Sequence, residues 1–283
     1  MRTLVYTLVL HLSLGCSQAP PADSTGGLVS LSPAITETLV ALQAQDQLVG
    51  RSDYCTGPAE VMALPALGSG LTPNLEAVLK VHPRLVLLEG NEAADGMALS
   101  QVTSVRAFPW LTTGEISSSI LAIGEVVNKA ADADTLATSI TEGLRSTAHA
   151  GSPRVLLVIG VDGPAGDIWY IKPNSLHGTA LRAAGGRNAI DHDVQGAPSL
   201  SAERVIELDP DQIIMLGSSP MSGTKTQAAV ARWAALAPLS AAKNKKISVL
   251  AGPGLMTTGP AVLSFVDQLR PMVSVAPSAP RTP

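Results

Sequence analysis

Aromatic side chains are scarce in this chain of 283 residues, with three Trp, three Tyr and two Phe. An aromatic at a loop tip or strand end is therefore worth singling out, because such rings bury large areas at little conformational cost. Tyr54 in "GRSDYCTG", Trp110 in "AFPW" and the pair Trp169–Tyr170 in "DIWYIK" stand at such places, whereas Trp233 lies in an alanine-rich helix and reads as packing. This is the chemistry of binding. The chain carries no G-x-S-x-G elbow, no metal-ligand spacing and no close acid–base pair, so no catalytic residue, metal or cofactor is expected. "GSSPMSGTKT" (Gly217–Thr226) lacks the spacing of a phosphate loop. Asp191-His192-Asp193 reads as an exposed polar turn.

The elements that must position these side chains come in two matching sets. "TPNLEAVLKVHPRLVLL" (Thr72–Leu88) and "SLSAERVIELDPDQIIM" (Ser199–Met215) align at a constant offset of 127 residues, with Glu76 on Glu203, Val78 on Val205 and Pro83 on Pro210. Each holds an N-cap candidate (Thr72 or Asn74; Ser199 or Ser201), a glutamate in the first turn where the helix dipole favours an anion, and a proline that stops the helix. An apolar run without polar alternation follows, which predicts a strand covered on both faces in a parallel sheet. The offset also pairs "LVSL" at Leu28 with "VLLV" at Val155, so each half opens on a buried strand. After the first, Ser32 is placed as N-cap and Pro33 at the first helical position. The fold class is α/β, with one lobe over 28–113 and another over 151–273. Between them, residues 114–150 keep helical spacing through Ile116, Ile120, Ile123, Val127, Leu136, Ile140 and Leu144, which predicts a single long linking helix, with Asp132 as the place where it would break if broken.

The N-terminus reads as a targeting segment. Arg2 precedes an apolar run from Leu4 to Leu14, too short to span a bilayer, ending in "LSLGC". That pattern resembles a lipoprotein signal over residues 1–16, with Cys16 as the lipidation site and 17–27 as a flexible tether. Residues 274–283 read as a disordered tail. A net charge of -4 without a basic run argues against nucleic acid as a partner.

"LVSLSPAITETLVAL", "LVGRSDYCTGP", "LPALGSGLTPNLEAVLKVHPRLVLL", "AAGGRNAI" and "SLSAERVIELDPDQII" together resemble the substrate-binding proteins of ABC importers for vitamin B12, haem and iron-siderophores. The resemblance implies two Rossmann-like lobes of the class III arrangement, with a ligand in the cleft beyond the carboxyl ends of the strands. It implies a corrinoid as the ligand, with haem or a ferric siderophore as the alternative, and an ABC permease with its ATPase as partners. An exported monomer, periplasmic or at the cell surface and touching the membrane only through its lipid, is the expected state. On this reading the cleft is lined by Ser32, Pro33, Tyr54, Glu89, Asn91 and Trp110 from the first lobe, and by Trp169, Tyr170, Lys172, Gly254 and Leu255 from the second. Tyr54 matches a ligand-stacking tyrosine of the B12 binders, and Glu76 matches the first of two glutamates that they present to the permease. The chain departs from them at Gly70 and Gly254, where they carry tryptophan, and at Met256, which stands at the second glutamate.

Overall fold

Each half begins with a strand that has little or no polar face, and such a strand is stable only in the middle of a covered parallel sheet. The computed structural model describes residues 26–90, 97–161, 163–164, 166–236 and 238–273. Cys16, Asn91 and the tail 274–283 lie outside the described residues. Strand β1 (Leu28–Ser30) pairs with β2 (Leu48–Arg51) on one side and β3 (Leu85–Glu89) on the other, and β4 (Val105–Phe108) joins β3, all parallel. In the second lobe β5 (Arg154–Ile159) lies between β7 (Arg187–Asn188) and β9 (Gln212–Gly217), and β10 (Ile247–Ala251) closes the far edge. Taken within each lobe in chain order, both sheets read 2-1-3-4. The second lobe adds an antiparallel pair, β6 (Ile168–Trp169) with β8 (Ser199–Leu200).

The helices are α1 (Pro33–Ala41), α2 (Ala59–Met62), α3 (Leu75–Lys80), α4 (Met97–Ser100), α5 (Thr113–Val126), α6 (Ala130–Gly143), α7 (Leu176–Ala183), α8 (Ala202–Leu208), α9 (Gly223–Ala234), α10 (Ser240–Lys243) and α11 (Val262–Leu269). Ser32 caps α1 by accepting from the Ile35 N–H, with Pro33 in its first turn, as the sequence predicts. The offset of the repeat holds at the level of caps. Asn74 accepts from the Ala77 N–H at the head of α3, and Ser201 accepts from the Arg204 N–H at the head of α8. Beyond each helix one non-glycine residue adopts a left-handed conformation, His82 at φ 46 and Asp209 at φ 42. Each turns the chain directly into the proline.

The linking segment corrects the sequence reading. It is not one long helix but two antiparallel ones, α5 and α6, joined through Val127–Lys129 with Asn128 at φ 58. Ser117 and Thr141 share a hydrogen bond of 2.9 Å across the hairpin. A Cβ on Gly124 would lie 2.3 Å from that of Ala133, so the pair closes where side chains are smallest. Both helices bury the same apolar stripe, and their core is continuous with α1 of the first lobe and with Leu181 and Phe265 of the second. Rigid attachment of the lobes is thus a packing effect rather than a bending stiffness.

Candidate functional site

The carboxyl ends of the two sheets converge on a seam. Trp110, two residues past β4, donates from Nε1 to the Thr258 carbonyl beyond β10, at 2.8 Å. Gly259 lies on α1 so closely that a Cβ there would be 2.3 Å from Glu37 Oε2 and 3.0 Å from Ala34 Cα. The loop beyond β10 thereby touches the first lobe where β1 and β4 end.

On the first-lobe side, the turn after β2 is tied down by its backbone. Asp53 N–H donates to Gly68 O at 2.8 Å, Gly68 N–H returns a bond to Asp53 Oδ1 at 3.1 Å, and Tyr54 N–H donates to Ser52 Oγ at 3.2 Å. The Tyr54 ring is thrust outward and is 73% exposed. The next loop is tied by Gly70 N–H to the Leu31 carbonyl at the end of β1, and it presents Leu71 at 89% exposure. Leu111, equally bare, is fixed by its N–H donating to Glu115 Oε2, within the capping box that starts α5. Three large apolar side chains in water on rigid loops are the kind of surface that a partner or ligand covers.

Beneath them is a polar floor. Ser32 donates to Glu89 Oε1, the Ser30 hydroxyl donates to Ser32 O, and Thr36 donates to Ser30 Oγ at 2.9 Å. Cys55 Sγ contacts Thr36 Oγ1 at 3.1 Å, and burial pushes its thiol pKa up, so it is a buried thiol rather than a reactive one. Glu37 is held above the usual carboxylate range, chiefly by burial, with the Glu89 charge adding to the effect and the Thr257 and Ala261 contacts opposing it.

In the second lobe Trp169 is turned outward, 45% exposed. Tyr170 is not: strand alternation sends it into the core, where burial raises its pKa. Gly254 stands at φ 74, and Leu255 is buried with its carbonyl held by His177 Nε2 at 2.9 Å. A carbonyl only accepts, so Nε2 carries the hydrogen. Burial lowers the His177 pKa, and the ring packs edge-on against Phe265 at 5.1 Å.

Five expected ligand contacts are therefore engaged elsewhere. Tyr170 and Leu255 are core, Trp110 bridges the lobes, the Ser32 hydroxyl is spent on the α1 cap and Glu89, and Lys172 Nζ donates to Gly196 O at 3.3 Å. Tyr54, Trp169, Pro33, Glu89 and Gly254 retain exposed surface at the strand ends. Leu71 and Leu111 were missed, because an exposed leucine leaves no mark in a sequence of this composition. Met256 is half-buried against the core. The residue that stands in the second lobe where Glu76 stands in the first is Glu203, exposed in the first turn of α8 as Glu76 is in α3, at the 127-residue offset. A hydrogen bond from Ser201 holds its carboxyl pKa down, whereas Glu76 pairs with Lys80 at 2.7 Å.

Among the described residues no group of three or more His, Cys, Asp or Glu is placed to hold a metal, and Asp191 and His192 are exposed as expected. A hollow of about 480 Å³ lined by Arg154, Asp191, Arg204, Glu207 and Leu208 opens at the amino end of β5, away from the seam. The Arg154 guanidinium there donates to the carbonyls of Leu208, Asp209 and Ala189, which makes it a structural tie.

Comparison with known proteins follows the same lines. A family model described as periplasmic binding protein matches residues 28–252. The high-affinity heme uptake system protein IsdE of Staphylococcus aureus (strain Newman) is 26% identical over 235 residues, covering 76% of this chain and 78% of that protein. Among solved structures, the periplasmic heme binding protein HutB of Vibrio cholerae superposes with a TM-score of 0.72 at 20% identity, over 87% of this chain and 98% of that one. The periplasmic vitamin B12 binding protein BtuF of Vibrio cholerae gives 0.68 at 22% identity, over 87% and 95%.

Proposed function

The chain belongs to the periplasmic binding protein family, the substrate-binding components of ABC importers, and from that premise we propose that its cargo is a tetrapyrrole-class metal chelate, a corrinoid in the first place, held between the lobes. One observation carries the reading. Tyr54, past the carboxyl end of β2, and Trp169, in the antiparallel β6–β8 pair beside the carboxyl end of β5, are exposed rings, one on each lobe, and Leu71 and Leu111 add bare apolar surface to the first. A flat macrocycle gives such walls a large area to cover, while the part-exposed Glu89 offers an acceptor to its edge groups. The protein's work is capture and delivery. The permease and its ATPase supply the energy for release, and Glu76 and Glu203, one from each lobe, are the docking residues.

A second reading, haem, is favoured by the name carried by the relative at 26% identity. The two readings differ at one atom. A corrinoid needs only the face of Tyr54, whereas haem iron would take the phenolic oxygen as ligand. Calorimetric titration with cyanocobalamin, hemin and a ferric siderophore, on wild type and on Tyr54→Phe and Tyr54→Ala, tests them. Cyanocobalamin bound equally by wild type and Tyr54→Phe supports the corrinoid. Hemin bound by wild type and lost in Tyr54→Phe supports haem, and no binding of any of the three refutes both. For the N-terminal segment we propose export with acylation at Cys16, tested by loss of membrane association in Cys16→Ser.

A further inference from the structure

The loop Gly252–Ala261 is held from both sides of the seam. Its own lobe holds the Leu255 carbonyl through His177, and buries the Leu255 side chain. The other lobe holds the Thr258 carbonyl through Trp110, which is only 5% exposed although it lies 148 residues away in the chain. At Gly259 the strap lies against α1, where a Cβ would displace Glu37 Oε2 and press on Ala34 Cα at 3.0 Å, and Thr257 and Ala261 close over the Glu37 carboxyl, whose Oε2 is buried without a partner. Beside this contact the seam is not packed shut. A hollow of about 230 Å³ lies there between α1, Thr56–Pro58 and Pro260–Ala261. On that side the Trp110 hydrogen bond and the close approach of Gly259 to α1 span the seam beside the hollow, with the Trp110 and Leu255 side chains in the shared core.

We propose that Trp110 and Gly259 are positioning residues for ligand capture: by pinning the Gly252–Ala261 strap to the first lobe, they set the separation between the Tyr54 wall and the Trp169 wall. The role rests on the cleft reading above for its purpose, but not for its test. The strap is a second tie between the lobes, distinct from the α5–α6 hairpin. It also accounts for a tryptophan at a strand end that is not available for ligand stacking. Its ring packs in the continuous core while its N–H crosses the seam.

The test is an inter-lobe distance measured without ligand. Nitroxides are placed by Ser100→Cys on α4 and Gln227→Cys on α9, both exposed and on different lobes, and the distribution is read by pulsed electron spin resonance. The expected result is one narrow distance in the parent protein. Trp110→Phe, which keeps a ring but leaves the Thr258 carbonyl without its donor, and Gly259→Ala, which wedges the strap off α1, should each add a longer-distance population. Ligand affinity, measured with whichever of cyanocobalamin or hemin binds, should weaken about fivefold in Trp110→Phe, the equivalent of one lost hydrogen bond. Unchanged narrow distributions in both folded variants would overturn the proposal. Should either variant fail to fold, hydrogen exchange on the wild type decides. The Val262 N–H, bonded to Gly259 O at 3.0 Å, must exchange as slowly as the β9 amides, and rapid exchange there also overturns it. Failure of the tetrapyrrole reading would leave the distance experiment untouched.

Discussion

Replacing Tyr54 by alanine isolates the contribution of the first wall. The ring is 73% exposed, the residue's own N–H is held by Ser52 and the preceding Asp53 by Gly68, so truncation removes surface without disturbing the fold. An aromatic side chain can bury about 150–250 Å², and a flat ligand covering one face takes up about 80 Å² of it. At about 25 cal/mol per Å² that is about 2 kcal/mol, or roughly a thirtyfold rise in Kd. Little of this is offset by ordering, because the loop is already held. Calorimetry with whichever of cyanocobalamin or hemin binds reads the change directly. Tyr54→Phe keeps the face and should stay within about threefold of wild type. The reasoning fails if Tyr54→Ala also stays within that range, because a ring that is exposed, rigid and at the cleft would then cover nothing.

Charge reversal at the two docking positions, Glu76→Lys with Glu203→Lys, should abolish ligand-dependent stimulation of the permease ATPase in vesicles while leaving ligand Kd unchanged. Either single reversal should cost part of it, and normal stimulation in the double variant would remove both residues from docking. Because the folded-state pKa of Glu37 is raised, the carboxyl adds stability in full below the ordinary glutamate value of about 4.3, and this is lost as pH rises through the higher folded value. Glu37→Gln should therefore gain melting temperature relative to wild type as pH climbs from 4 to 8, and a pH-independent difference would contradict the burial. Trp233 is fully buried with its Nε1 unpartnered. Urea denaturation should show Trp233→Ala losing about 3–5 kcal/mol, as large core truncations do, and Trp233→Phe losing much less, since it also deletes the orphaned donor.

How far the sequence could be read depended on whether the deciding contact was local. The caps, the left-handed residue before each proline and the buried strands repeat at 127 residues because each is settled within a few residues of chain, and so β1, α3 and β3 find their counterparts in β5, α8 and β9. The offset breaks at the outer strands, where the second lobe inserts the β6–β8 pair and the longer α9. The linker misled for a physical reason. A helical hairpin that buries one stripe on both arms has the same apolar spacing as a single helix, and the turn falls at Asn128, a residue that tolerates the left-handed region after a helix end, a few residues before the break the sequence allowed near Asp132.

The site divides along the same line. Trp169 and Tyr170 could not both face a cleft, since neighbours on a strand point to opposite sides, and that rule alone would have sent one of them inward. Glu203 was equally accessible, because the 127-residue offset places it in α8 where Glu76 stands in α3. Trp110 was out of reach. Nothing near it in the chain offers its indole a partner, and the carbonyl that does belongs to a loop of the other lobe. A residue whose partner lies across the seam reads in sequence as a free aromatic at a strand end. The ones that do meet ligand, on this view, are those whose backbone is tied locally and whose ring finds nothing in the folded chain to cover it, which among the strand-end aromatics leaves Tyr54 and Trp169.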